Sequence, residues 1–182
     1  ISFDKIKLLN QKKFMVYNIP KHTAINFIDG NDNILISDIM LSKDKLKFHV
    51  ENNWIDKGIE AEKVVNLEQL KKEHLISNIY KIDNQNLFTK RNYFQYYRYK
   101  IAVIDKNFNA FIPKQKMNVD FIIWTQNCKI PLTKLAAMYQ FKKLIIDSSN
   151  STYINNKLVD EAKKLNIDYW SVENNGAFEF DV

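Results

Sequence analysis

The order of strand and helix signals after Val119 constrains the fold of this chain more than any other feature of its sequence. Continuous apolar runs at 121–124 and 144–146 are typical of strands that are buried on both faces. Pro131 suits the first turn of a short helix over 131–138, and apolar spacing predicts an amphipathic helix over 150–165. Strands that alternate with helices in this way predict a layered α/β arrangement.

The N-terminal part of the chain predicts a different local pattern. Short apolar runs at 14–19, 24–28 and 34–37 are separated by Pro20-Lys21 and by the turn-forming sequence 29–33. Turn residues at this spacing predict an antiparallel meander of three strands. The residues expected to face a core are Val16, Ile25, Phe27, Ile34 and Ile36.

The middle of the chain gives weaker signals. Ser42 can cap a helix that continues toward Gly58. After it, 63–67, 68–75 and 75–82 are predicted as strand, helix and extended chain in turn.

Two further extended regions are predicted. An aromatic section over 93–99 and 101–105 has aromatic residues on both faces, so one face is expected to lie in the core. Runs at 169–172 and 177–180 are predicted to pair as a hairpin.

Length and charge limit the classes of protein to consider. A chain of 182 residues predicts one domain over 1–182. No stretch approaches the about 18 to 20 consecutive apolar residues of a membrane helix, so we expect a soluble piece, and the start at Ile1 indicates one cut from a longer protein. The formal charge of +6 permits binding to nucleic acid, although Arg91 and Arg98 are the only arginines.

The titratable residues do not form a pattern typical of a catalytic or metal site. His22, His49 and His74 are isolated in the sequence, whereas a zinc site needs several converging ligands. Cys128 lies near Lys129 but has no adjacent base, so a small buried residue is the favoured interpretation. We therefore predict no catalytic residue, no metal ligand and no cofactor.

Two segments have both a binding and a structural interpretation. The polar run at 147–151 precedes a predicted helix and could receive a phosphate, but Asn150 or Ser151 as a helix cap is favoured. The aromatic residues at 93–99 could stack unpaired bases beside Arg91 and Arg98, but core packing is favoured.

Three runs of sequence together resemble one protein family. They are "FMVYNIPKHTAINFIDGNDNILISD", "VDFIIWTQNCKIPLTKLAAMYQFKKLIIDSSN" and "VENNGAFEFDV". They resemble the C-terminal domain of ComEC-type competence proteins, the DNA-internalisation channels, of the kind carried by Bacteroidetes. The resemblance implies a metallo-β-lactamase-like αβ/βα sandwich, with two mixed β-sheets flanked by helices.

The chain departs from the metal-binding motifs that this resemblance implies. Ser37-Asp38 occupies the aspartate-containing turn, but the segment after it has only His49. Thr125, Gln126 and Asn127 replace the histidine pair of the second signature, and neutral amides do not hold a dinuclear metal centre. The resemblance therefore implies a metal-free, non-catalytic domain.

The resemblance also implies the setting in which the domain works. The complete protein would lie in the inner (cytoplasmic) membrane and would pass single-stranded DNA during natural transformation. Its membrane-embedded channel part and other competence proteins are the expected partners, and the side of the membrane stays open. Residues expected to gather at the strand ends and contact the DNA backbone are Lys114, Lys116, Asn127, Lys129, Lys142, Lys143, Ser149 and Asn150.

Two alternative functions remain open. One is a metal-dependent nuclease that degrades the non-transported strand, with ligands from His22, Asp38, His49 and Asp147. The other is a protein-interaction module, which a large exposed apolar patch would favour.

Overall fold

The computed structural model describes residues 3–38, 47–59, 61–72, 78–82 and 85–182. These residues form two large β-sheets that pack face to face, with helices on the outer faces. The architecture is an αβ/βα sandwich, which confirms the predicted fold class.

The strands divide between the sheets according to where their apolar side chains pack. The first sheet contains β1 (Lys12–Val16), β2 (Ala24–Asp29), β3 (Asp32–Ser37), β4 (Ala61–Asn66) and β14 (Phe178–Asp181), in the order β14-β1-β2-β3-β4. The second contains β5 (Asn78–Ile82), β6 (Gln85–Lys90), β7 (Tyr93–Tyr96), β8 (Tyr99–Ile104), β10 (Phe121–Trp124), β12 (Lys143–Ile146) and β13 (Tyr169–Ser171), in the order β13-β12-β10-β8-β7-β6-β5. A separate parallel pair consists of β9 (Met117–Asn118) and β11 (Tyr139–Gln140).

The described helices are short except for one. They are α1 (Phe3–Leu9), α2 (Asn52–Asp56), α3 (Leu67–Lys72), α4 (Leu132–Met138), α5 (Thr152–Lys164) and α6 (Val172–Asn175), and a π-helical turn at Lys47–Glu51 leads into α2. Within the described ranges, no helix has the length and apolar character needed to cross a membrane.

Both large sheets are mixed. In the first sheet, β3 and β4 are parallel and the remaining neighbours are antiparallel. In the second, β8, β10, β12 and β13 are parallel, whereas β5 to β8 are antiparallel neighbours. The parallel direction brings the carboxyl ends of β8, β10 and β12 to the same edge of the second sheet.

The main core lies between the sheets. Phe14 is 1% exposed, and its ring lies against the rings of Phe121 and Phe178 at centroid distances of 4.9 and 5.4 Å. The predicted core residues of the meander are all buried in this layer: Val16, Ile25, Phe27, Ile34 and Ile36. The residues predicted to face the core do so, and the opposite face of these strands is buried as well, under the outer helical layer.

Helices cover the outer face of each sheet. Leu132 and Leu135 of α4 and Leu158 of α5 pack on the second sheet, as the amphipathic pattern predicts. Val50 and Trp54 pack on the outer face of the first sheet. The helix expected from Ser42 thus has a described part near Val50, while Ser42 lies outside the described residues.

The predicted hairpin of 169–172 with 177–180 is wrong. Strand β13 pairs with β12 in the second sheet, and β14 pairs with β1 in the first. Helix α6 lies between them and carries the chain from one sheet to the other. Each strand extends a large sheet with a packed apolar face, which stabilises it more than an isolated two-stranded pair.

The aromatic section also differs from the prediction. A turn at Tyr97-Arg98 divides it into β7 and β8, with Tyr97 at a φ of 51°. The Tyr96 hydroxyl donates to the Ile28 carbonyl at 2.7 Å, and the Tyr97 hydroxyl donates to an Asp29 carboxylate oxygen at 2.6 Å. These hydrogen bonds join the second sheet to the first.

Candidate functional site

Polar side chains from both sheets meet at the edge where the parallel strands of the second sheet end. Asp105 follows β8, Gln126 follows β10, and Asp147 and Ser149 follow β12. The opposite side of this edge receives side chains from the first sheet and from α3. We call this group the strand-end cluster: His22, Thr23, Asp38, Glu68, Lys71, Asp105, Gln126, Asp147 and Ser149.

Asp147, like Asp105, is a deeply buried carboxyl group of the strand-end cluster, at 1% exposure. The Thr23 hydroxyl donates to its Oδ2 at 2.6 Å, while Asn150 Nδ2 and the Ser149 backbone N–H each donate to its Oδ1 at 3.1 Å. Burial raises the pKa of Asp147 to about 7, against the effect of these donors, and the nearby Asp38 raises it further. Asp147 therefore ties β12 to the first sheet and titrates near neutrality.

Asp38 and Glu68 are bridged by a neutral amide. Gln126 Nε2 lies 3.4 Å from an oxygen of each carboxylate. Asp38 also accepts the Thr23 backbone N–H at 3.1 Å and lies 3.5 Å from His22 Nδ1. The Gln126 backbone has a φ of 52° and its N–H donates to Ser149 Oγ at 2.7 Å, so its position at the strand end is fixed.

Lys71 supplies a positive charge at the other end of the strand-end cluster. Its Nζ lies 2.6 Å from Asp105 and 3.0 Å from Glu68. The side chains of Lys71 and Asp105 are only 12% and 2% exposed. Burial alone would raise the pKa of Glu68, but the bonds from Lys71 and Gln126 bring that pKa below its ordinary value. The ammonium therefore favours the ionised form of Glu68.

Within the described ranges, the side chains of the strand-end cluster do not form a set of metal ligands. No group of three His, Cys, Asp or Glu side chains there is placed to hold a metal ion. Of the ligands considered for a nuclease, His22, Asp38 and Asp147 lie in the strand-end cluster. His49 is exposed beside Phe48 in the outer helical layer, and His74 lies outside the described residues.

The turns after β10 and β12 hold each other through side-chain hydrogen bonds. Asn150 is 7% exposed, and its amide donates to the Trp124 carbonyl at 2.7 Å and accepts the Asn127 N–H at 2.9 Å. Asn127 in turn accepts the Ser151 N–H at 2.7 Å. Ser151 caps α5 by accepting the Ile154 N–H at 3.4 Å, in agreement with the capping interpretation. The polar run at 147–151 thus has a structural use.

The predicted gathering of lysines around Asn127 and Ser149 is wrong for Lys142 and Lys143. They precede β12, whereas Asn127 follows its parallel neighbour β10, so they lie at opposite edges of the second sheet. Lys142 is bound to Asp120 at 2.8 Å and Lys143 to Asp168 at 2.7 Å.

The other predicted lysines divide in the same way. Lys116 lines a surface depression together with Lys142, away from the strand-end cluster. Lys129 follows Cys128 in the turn after β10 and is exposed at the strand-end edge. Lys114 is exposed in the connection between β8 and β9. The predicted group of contacts is therefore not one surface.

Cys128 and most aromatic side chains of β7 are buried in the core, as expected. Cys128 is 3% exposed, and burial raises the pKa of its thiol. Phe94 and Tyr96 are buried between the sheets, so they cannot stack bases. Tyr93 is half-buried on the outer face of the second sheet, where its hydroxyl lies 2.5 Å from that of Tyr139.

Several members of the strand-end cluster were not predicted from sequence. Asp105 follows an apolar strand just as Asp147 does, so its position at a strand end was a usable signal. Lys71 and Glu68 lie among other charged residues of α3 and give no such signal. Thr23 precedes β2 in a turn where a hydroxyl is ordinary.

One comparison with known proteins identifies a family for this chain. The fold and the strand-end cluster together define an αβ/βα sandwich domain whose parallel-strand edge is occupied by hydrogen-bonded and ion-paired side chains. A family model described as the ComEC C-terminal domain matches residues 14–182. The chain belongs to this family, and its membership connects it with DNA uptake in competence. The assignment to the kind carried by Bacteroidetes stays a prediction.

Comparisons with the curated proteins and with the solved structures give no match.

Proposed function

We propose that this chain is a metal-free, non-catalytic, extramembrane domain of a DNA-uptake channel that assists passage of single-stranded DNA or supports the channel. The observation that carries the proposal is the Lys71 ammonium bound between Asp105 and Glu68. It neutralises carboxylates that a divalent cation would need as ligands. Gln126 places a neutral amide between Asp38 and Glu68, and amide nitrogens are donors rather than metal ligands.

The scaffold is the second support for the proposal. Two mixed sheets with helices on both outer faces are what a metallo-β-lactamase-like domain would have. Asp38 and Gln126, at positions where the resemblance puts metal motifs, both belong to the strand-end cluster. A domain of this origin can lose its ions and keep its fold, because the core between the sheets does not depend on them.

The metal-free state is tested by loading the purified chain with zinc or manganese and removing the free ions. We expect no stoichiometric metal by elemental analysis and no cleavage of single- or double-stranded DNA. Lys71→Arg serves as a control for this test. It keeps the positive charge between the carboxylates, so it should give the same result as the wild-type chain. A bound metal with accompanying DNA cleavage would establish the alternative, a metal-dependent nuclease that degrades the non-transported strand.

DNA contact is tested by titrating a fluorescent oligothymidine with the chain at several salt concentrations. The surplus of cations, +6 in formal charge, should give an affinity that falls as salt rises. For single strands, the slope of log affinity against log salt should be about −0.7 for each phosphate neutralised. Absence of binding even at low salt would contradict DNA contact and would leave the channel-support role.

The channel-support role has an observation of its own. Phe48 and Ile55 belong to the outer helical layer of the first sheet and are 82% and 68% exposed. Exposed apolar side chains suit a contact with the membrane-embedded part of the same protein or with another competence protein. In that arrangement the full-length protein lies in the inner membrane and this domain lies outside the bilayer.

A further inference from the structure

We propose that single-stranded DNA binds along the outer face of the second sheet at β6 to β8 and on to the amino-terminal edge of that sheet, not at the strand-end cluster. This proposal rests on the DNA-uptake role and assigns that role to one surface. We call this surface the basic track, after its cations: Lys90, Arg98, Lys100, Lys116 and Lys142.

The basic track is continuous because its depressions share residues. A depression of about 410 Å³ on strands β6 to β8 is lined by Lys90 and Lys100. Lys100 also lines the next depression, together with Arg98 and Lys142. Lys142 in turn lines a third one, together with Lys116. The three depressions therefore adjoin one another in a row along which the cations are placed.

The charge of the basic track is complementary to a polyanion. In the first two depressions, as far as the described residues line them, Asp120 is the one acidic side chain, and Lys142 is bound to it at 2.8 Å. Asp168, in the third depression, is bound to Lys143 at 2.7 Å. Lys100 adds to the positive charge around Asp120 and helps to lower the pKa of that carboxyl. Among the described residues, Lys90 and Lys116 have no ion pair, which leaves their ammonium groups for phosphates.

Aromatic side chains beside these cations favour unpaired bases over duplex DNA. Phe88 is 42% exposed on β6, in register with Gln95 of β7, which is itself in register with Lys100 of β8. Tyr93 lines the same depression and is held by its contact with the Tyr139 hydroxyl. Bases stack on aromatic rings only when they are unpaired, and stacking tolerates any base.

The residue types also fit a carrier that does not select sequence. Most cations of the basic track are lysines, which act as point charges on phosphates and lack the planar fork used for bidentate recognition of guanine. Phosphate contacts position a strand without conveying sequence. A DNA-uptake domain that accepts any sequence would use such contacts.

The test compares variants of the complete 182-residue chain for binding to a fluorescent oligothymidine of about 16 nucleotides or more. The double variant Lys100→Gln/Lys116→Gln should bind about tenfold more weakly, with a salt slope reduced by about 1.4, or about 0.7 for each lost phosphate contact. Phe88→Ala should weaken binding about tenfold through lost stacking and leave the salt slope unchanged. The matched control Lys129→Gln/Lys157→Gln loses the same charge elsewhere on the surface and should change affinity less than about twofold.

The outcomes separate the site from the function. If the wild-type chain binds and only the Lys129 control variant is weakened, the basic track is wrong and DNA contact stands. If the wild-type chain does not bind at low salt, the basic track and DNA contact both fail, and only the channel-support role is left. The Lys100→Gln/Lys116→Gln variant is also tested on phosphatidylglycerol vesicles. If it loses binding to the vesicles but still binds the oligothymidine with wild-type affinity, the surface binds lipid and the proposal is overturned.

Discussion

Replacing Lys71 with methionine should destabilise the domain by about 3–5 kcal/mol, because the substitution leaves the buried charge of Asp105 without its partner. The Asp105 side chain is 2% exposed, so water cannot replace the ammonium at 2.6 Å. Methionine keeps most of the length and apolar volume of the lysine stem, which isolates the charge effect. Urea unfolding followed by tryptophan fluorescence measures the change.

The matched control is a surface lysine with an acidic neighbour. Lys157 lies 3.8 Å from Glu161, one helical turn away on α5, with its side chain 55% exposed. Lys157→Met should cost less than about 0.5 kcal/mol, because exposed pairs of this kind are screened by water. Equal losses for the two variants would contradict the assignment of Lys71 to a buried ion pair.

A double-mutant cycle gives a second check on the same pair. Once Asp105→Asn has removed the buried negative charge, Lys71→Met should cost at least about 1 kcal/mol less than it does in the wild-type chain. Additive losses would mean that Lys71 and Asp105 do not interact, despite their contact.

The contribution of Asp147 to stability should fall as the pH rises from about 4 to about 7. Burial raises the pKa of Asp147 in the folded protein to about 7, whereas an unfolded aspartate titrates near about 3.9. Between these values the folded chain holds a proton that the unfolded chain has released. The contribution of protonated Asp147 is therefore complete below about pH 4 and lost by about pH 7, with a slope of at most about 1.4 kcal/mol per pH unit.

Asp147→Asn should remove this decline. The asparagine oxygen can accept the bonds that Oδ1 accepts, and its amide can donate to the Thr23 hydroxyl in place of a carboxyl proton. Glu68 and Asp120, whose pKa values are lowered, give the opposite trend with pH. The quantity to compare is thus the difference in unfolding free energy between wild type and variant at each pH.

The exposed Asp160→Asn on α5 serves as the control for this comparison and should retain the wild-type pH dependence. If the curves of wild type and Asp147→Asn run parallel from about pH 4 to pH 8, Asp147 does not titrate as its burial indicates.

The sequence predicts well those parts of the fold whose signal is local. Runs such as 121–124 and 144–146 are apolar throughout because helices cover one face of β10 and β12 and the first sheet covers the other. Strands β2 and β3 are likewise buried on both faces, because the second sheet covers one face and the outer helical layer at Val50 and Trp54 covers the other. In each case the burial of the element is visible in its own residues.

Features that depend on distant residues were missed. Lys71 lies in α3, after β4 of the first sheet, whereas Asp105 follows β8 of the second sheet. Nothing in the sequence "LEQLKK" distinguishes Lys71 from its neighbour Lys72. The hairpin prediction for β13 and β14 failed for the same reason, since each strand pairs with a partner far away in the chain.

The error over Lys142 and Lys143 was of a different kind. Parallel strands have all their amino-terminal ends at one edge and all their carboxyl-terminal ends at the other. Residues that precede β12 therefore cannot meet residues that follow β10. The alternation of strands and helices in the sequence already implies this separation, because it predicts parallel strands and so fixes which edge each lysine occupies.

The burial of Cys128 has a practical consequence for labelling. It is the chain's single cysteine, 3% exposed and with the pKa of its thiol raised, so alkylating reagents should reach it slowly. A cysteine introduced at Lys116 or Lys129 would then take up a maleimide dye selectively, while the native core stays intact. Each edge of the second sheet can thus receive its own fluorescent reporter.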